Sequence, residues 1–139
     1  MTGDADRMSR LRAEMTRPPF HRWLAPEAVA ASEGRVEIRL PVRPDLCHSA
    51  DPAFVHGGIL AALIDIAGHA VVAVEQMRPA PTITLGVEFL RPAPAGILNA
   101  TALLRRLGRT VSRADVEIHA EGRLIALGRG TFANIGDPR

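Results

Sequence analysis

Lysine and tyrosine are absent from this 139-residue sequence, and cysteine and tryptophan occur once each. A single cysteine, Cys47, excludes an internal disulfide framework and any multi-cysteine zinc or iron–sulfur site. Beside His48 it reads as a bystander thiol, because adjacent side chains rarely converge on one substrate atom. All 17 basic residues are arginine, against 15 acids, for a net charge of +2. With no Lys or Tyr to titrate below the arginine range, that small excess carries the pI to about 9.9. A net +2 makes no electrostatic case for a nucleic-acid partner. No GxSxG, P-loop or GxGxxG motif occurs. The N-terminal MTGDADRMSR is charged and lacks an apolar h-region, so no signal peptide is expected. The longest apolar run, residues 57–74, is short and carries Asp65 and His69 near its middle, which argues against a membrane span. A soluble, cytoplasmic protein with no membrane partner is the expectation.

What is present suits one globular domain. Hydrophobic residues make up 47% of the chain, and the length allows a real core. Residues 4–16 are compatible with a short amphipathic helix that Pro18 and Pro19 stop. Phe20, Trp23 and Leu24 follow, placed to staple this piece onto the rest. Residues 1–33 therefore read as an N-terminal helical extension, 34–134 as the main domain and 135–139 as a tail. RVEIRLP at 35–41 alternates apolar and charged with period two, a half-buried strand. Residues 43–55 read as loop. Residues 57–76, GGILAALIDIAGHAVVAVEQ, hold no proline and are apolar nearly all round, which describes a helix buried on all sides. Pro79 and Pro81 end it. Strands follow at 82–90, 97–106, 111–119 and 124–132, with 91–96 as a turn and one slip of alternation near residue 112. Four consecutive strands predict an antiparallel meander. The fold class expected is α+β, a curved antiparallel sheet around one long central helix.

Two features of that helix bear on chemistry. Gly57 and Gly58 at its start leave unpaired backbone N–H groups accessible, and the helix dipole adds positive character there. Such a terminus suits an anion or a developing oxyanion. By spacing alone HGG is a weak motif, and a tight turn or close packing suffices to explain the same glycines. Asp65 interrupts the apolar helix, and a buried carboxylate needs a partner, a shifted pKa or a wet cleft. His69, four residues on, lies on the same face and is the candidate partner. Gly57 and Asp65 are eight residues apart, about 12 Å of helix rise, too far to act on one carbon within one helix. If they share a site, the second member comes from another subunit, so a catalytic role predicts an obligate homodimer with two composite sites. His56 sits about half a turn from Asp65 in projection, so His56, Asp65 and His69 do not form a helix-borne metal site.

Several segments together resemble the hotdog-fold acyl-CoA thioesterases, in particular the PaaI-like (phenylacetate-degradation) and hydroxybenzoyl-CoA thioesterase group. They are Val55-His56-Gly57-Gly58, Leu63-Ile64-Asp65, Glu88 to Ala93, Gly108-Arg109, Glu121 to Leu124 and Gly130-Thr131-Phe132. The resemblance implies a hotdog domain that forms a homodimer, often a dimer of dimers. It implies that the Gly57 amide polarises a thioester carbonyl and that Asp65 of the other subunit serves as general base or nucleophile. His56 would support the loop or the thioester, with Gly58 beside it. Thr82 stands where a Ser or Thr helps hold the water in some members. Arg91, Arg105, Arg106 and Arg109 are the candidate CoA contacts. Two departures stand out. Asp51 replaces the asparagine of the usual Asn-Pro-x-Gly, with one residue fewer before His56. His69 is larger than the residues common at that position, and either orients Asp65 or lines the acyl pocket. The function expected is hydrolysis of an acyl-CoA, a small-molecule substrate, to a carboxylic acid and free CoA. No metal or redox cofactor is implied. The alternatives are an acyl-CoA-binding module without turnover and a hotdog hydratase or dehydratase.

Overall fold

The computed structural model describes residues 3–135. Its elements are α1 (Asp4–Thr16), α2 (Pro19–Leu24), β1 (Glu27–Ser32), β2 (Arg35–Pro41), α3 (Gly57–Gln76), β3 (Thr82–Phe89), β4 (Ile97–Arg106), β5 (Val111–Ala120) and β6 (Arg123–Ala133). Of the tail read at 135–139, residues 136–139 lie outside the described residues. The six strands form one antiparallel sheet in the order β1-β2-β4-β5-β6-β3.

The sheet curls around α3. By length and composition α3 could cross a membrane, but here most of it is buried inside the domain. Its Leu63, Ile64, Ala67, Val71 and Val72 pack against the inward residues of the strands, among them Ile38, Leu98, Ile118 and Phe132. Close approach needs small residues. A Cβ on Gly128 of β6 would stand 2.6 Å from the Ile64 side chain and 2.7 Å from the Gly86 carbonyl. Glycine therefore lets helix and sheet touch at that point.

The expected meander holds only for β4–β5–β6. The strand at 82–89 does not pair with the next one. It lies beyond β6, at the sheet edge, and β4 pairs instead with β2 over seven positions, from Arg35↔Leu103 to Pro41↔Ile97. The 91–96 linker explains this. Pro92 and Pro94 have no N–H for a tight hairpin. The linker instead docks on the pre-helix loop, with Val55 N donating to Ala93 O and Ala95 N to Ala53 O. Residues 27–32, within the stretch read as a helical extension, form β1 and pair with β2. Their sequence, EAVAAS, is alanine-rich and carries a weak strand signal. The slip in β5 is absent: Ser112, Ala114, Val116, Ile118 and Ala120 all face inward, and Val111 faces out. Ser112 occupies a core position because its hydroxyl is bonded, accepting from Gly108 N at 3.2 Å.

α1 lies antiparallel to the second half of α3. Arg7 Nε donates to Glu75 Oε1 at 2.8 Å, and Arg10 Nη1 donates to the Val74 carbonyl at 3.1 Å. Leu11 and Met15, on the same face of α1, are buried.

Candidate active site

The first half of α3 is treated differently from the second. The side away from the sheet carries no covering element at Gly57, Gly58, Ala61, Ala62 and Asp65, which are half-buried or exposed. Beside it runs β3, the sheet's edge strand. β3 has one neighbour, β6, so its other row of N–H and C=O groups is unpaired. Ile83 and Phe89 on this strand are 55% and 56% exposed.

Asp65 and Thr82 meet here. The Thr82 hydroxyl donates to Asp65 Oδ1 at 2.6 Å. Oδ2 has no hydrogen-bond partner among the described residues. Asp65 is half-buried rather than fully buried, so its charge is relieved by the threonine hydroxyl and by solvent. The expected partner, His69, stands 3.7 Å from Glu14 Oε2 of α1 through Nδ1.

The helix start forms a second group. His56 is the N-cap of α3, its Nδ1 accepting from Gly58 N–H at 2.8 Å. Nδ1 being the acceptor, the neutral ring carries its proton on Nε2. A Cβ on Gly58 would lie 2.9 Å from that Nδ1, so glycine is what permits the imidazole cap. The Gly57 N–H has no acceptor among the described residues. It remains an open donor at the positive end of a 20-residue helix. The Phe89 ring lies against Gly57, 3.7 Å from where its Cβ would be.

The remaining candidates divide between the two ends of the sheet. Arg91 lies at the Phe89 end, its Nη1 donating to Leu124 O at 3.0 Å. Asp51 is exposed on the loop leading into α3, with no ion pair or side-chain hydrogen bond among the described residues. Arg109 lies at the Thr82 end, in the β4–β5 turn. With Arg106, Thr110 and Arg113 it lines a concavity of about 550 Å³. One chain thus brings together Asp65 with Thr82, and His56 with Gly57 and Gly58. It does not bring the two groups to each other, because the helix between them is rigid. Of the other arginines named with Arg109, Arg106 shares this concavity, whereas Arg105 donates through Nε to Asp115 Oδ2 at 2.7 Å. Sequence reading missed Arg113, whose place across the turn from Arg106 is the signal that could have found it.

Comparison with known proteins adds a family. The sequence model described as "Thioesterase superfamily" matches residues 53–126. A Halobacterium salinarum protein with a provisional esterase name is 40% identical over 116 residues, covering 73% of this chain and 75% of its own. The medium/long-chain acyl-CoA thioesterase YigI of Salmonella typhimurium is 28% identical over 130 residues, covering 82% and 84%. Among solved structures, the E. coli PaaI protein from the phenylacetic acid degradation operon superposes with a TM-score of 0.87, at 24% identity and 99% coverage of both chains. That last likeness concerns the fold.

Proposed function

The chain belongs to the thioesterase superfamily, of PaaI-like hotdog type, and from that premise we propose that it hydrolyses an acyl-CoA to a carboxylic acid and free CoA at sites shared between two copies. The observation that carries this reading is the Asp65–Thr82 pair on the uncovered side of α3. A carboxylate there, held by one oxygen and open at the other, is placed to take a proton from water. The hydroxide attacks the thioester carbon. The oxyanion that forms is held by the Gly57 N–H of the second copy, at the positive end of its helix. The C–S bond then breaks, and the CoA sulfur leaves with the proton that Asp65 took.

Three features support the finer parts of the reading. The bare β3 edge and the exposed Ile83 and Phe89 suit a homodimer in which the two β3 strands pair and the helix halves face each other. Such a dimer would place the Gly57 group of one copy beside the Asp65 group of the other. Arg106, Arg109 and Arg113 have no ion pair among the described residues. They suit the phosphates of CoA, with Arg91 at the opposite end. A relative named for medium and long acyl chains makes such acyl groups the first to assay.

The test mixes two inactive proteins. Proline is tolerated at the first helical position, so Gly57→Pro removes the N–H while keeping the helix. Asp65→Ala removes the carboxylate. Mixed subunits should regain up to one intact site per heterodimer, read as free thiol released from a panel of aliphatic and aromatic acyl-CoAs. Exchange of subunits without return of activity sinks the shared site. Direct attack by Asp65, the competing route, would leave ¹⁸O in the carboxylate after one turnover in labelled water.

A further inference from the structure

The β4–β5 turn, residues 107–110, gathers charge that its own chain leaves unanswered. Arg106 and Arg113 stand directly opposite each other in the ladder. Like charges so paired destabilise a sheet. Arg109 lines the same concavity, and none of the three has an ion pair among the described residues. The turn between them is clamped from behind. Ser112 is fully buried, and its Oγ accepts from Gly108 N at 3.2 Å and from Asn134 Nδ2 at 3.3 Å. Asn134 follows the last residue of β6. Its Nδ2 also donates to the Gly108 carbonyl, and its backbone N–H donates to the Thr110 carbonyl at 2.9 Å. Asn134 therefore grips the residues on either side of Arg109, and both amide hydrogens of its side chain are used in doing so. A Cβ on Gly108 would run into the Val111 carbonyl, so the turn is also tight on its own account. An apolar residue at 112 would suit the core row of Ala114, Val116 and Ile118. A buried hydroxyl is costly unless bonded, and here its bonds go to the turn.

We propose that Asn134 is a positioning residue for substrate binding, which with Ser112 fixes the turn so that Arg109 joins Arg106 and Arg113 around a phosphate of CoA. This rests on the reading that these arginines hold the CoA phosphates. A phosphate anion offsets the repulsion between the opposed guanidiniums and accepts hydrogen bonds from them. With the turn fixed beforehand, less freedom is lost when the phosphate binds. The clamp acts on the nucleotide end of the substrate and leaves the thioester chemistry at Asp65 untouched.

The experiment compares steady-state kinetics on an acyl-CoA with kinetics on the same acyl group carried by pantetheine, which has no phosphate. Asn134→Ala should raise KM for the acyl-CoA about fivefold or more and keep kcat within about twofold, the pattern of lost uniform binding. The Kd of free CoA should rise in step, a readout that does not depend on turnover. KM for the acyl-pantetheine should not move, whereas general damage to the fold would move both. In an Arg109→Gln background, Asn134→Ala should add little, because the side chain it positions is gone. Gly108→Ala forces the same turn open and should show the same split, which keeps the idea testable if Asn134→Ala does not fold. Equal KM changes on the two substrates overturn the proposal. So does an Asn134→Ala effect that persists undiminished without Arg109. A wild-type KM and Kd in Arg109→Gln would remove the phosphate reading itself, and the positioning role with it. Raised values in Arg109→Gln beside unmoved ones in Asn134→Ala would sink the positioning role alone.

Discussion

The two halves of α3 are almost equally apolar in sequence, yet they live in different surroundings. From Ile66 to Val74 every residue but His69 is buried, with the curled sheet on one side and α1 against the other. From Gly57 to Asp65 only Leu60, Leu63 and Ile64 are buried, all of them toward the sheet. The difference is the second cover. α1 runs along the last part of the helix, and its Glu14 stands opposite His69, one turn short of Asp65. The contrast teaches that an all-round apolar helix need not be covered by its own chain. The uncovered half is where the open amide, the threonine-bound carboxylate and the bare strand edge gather. The sealed half contributes stability, and the open half is the place for chemistry and for a second copy.

The largest effect should come from the sealed half. Phe132 is fully buried, and its ring lies 3.0 Å from where a Gly68 Cβ would be. Phe132→Ala should cost roughly 3–5 kcal/mol of unfolding free energy in a denaturant titration. A loss below about 1 kcal/mol would mean that this half is not the packed one. Next comes the open half, where the sign of the comparison reverses. Asp65→Asn should lower kcat by at least about 10²-fold, the lower range for a general base, while stability changes little. Equal loss of folding and turnover would place Asp65 with the core instead.

A smaller effect is expected at the helix start. Gly58→Ala puts a methyl into the His56 ring and displaces the cap, which should cost about 1 kcal/mol. Turnover should fall more than stability does if the His56–Gly58 turn aims the Gly57 N–H. The smallest effect lies on the outer face of the sheet, remote from both halves. Arg129, with Arg105, holds the Asp115 carboxyl below its ordinary value. A carboxyl lowered in the folded state adds stability above its unfolded pKa, about 3.9, and loses it as the pH falls through the folded value. Asp115→Asn should therefore melt slightly lower than wild type at pH 7, with the gap closing below about pH 4. A gap that stays constant to lower pH would show that the ion pairs contribute nothing.

Much of this was legible residue by residue. The alternation in 35–41 and the proline-free run of 57–76 predicted β2 and α3 to the residue. Ser112 was misread as a slip because a polar residue can face the core only when a partner bonds it, and Gly108 is that partner across a turn. β3 was expected beside β4, since chain order is the only guide to pairing that a sequence supplies. Its place at the far edge depends on where the proline-bearing linker docks. The shared face of i,i+4 neighbours points His69 at Asp65, whereas Glu14 stands at its Nδ1 and the Thr82 hydroxyl bonds Asp65.

The amino-acid sequence by itself determined α1, α3 and the strands β2 to β6, the family and the residue types with chemical capacity at the helix start and at Asp65. Those follow from local periodicity, from glycine and proline chemistry and from the anomaly of a charge in an apolar run, all of which act over a few neighbouring residues. Only the tertiary structure decided which half of α3 stays open, that Thr82 rather than His69 bonds Asp65, and that Glu14 of α1 reaches the helix next to it. Those depend on contacts between residues 17 and 55 positions apart. Such contacts arise from how the sheet curls and where α1 lands on it, and no local pattern encodes either.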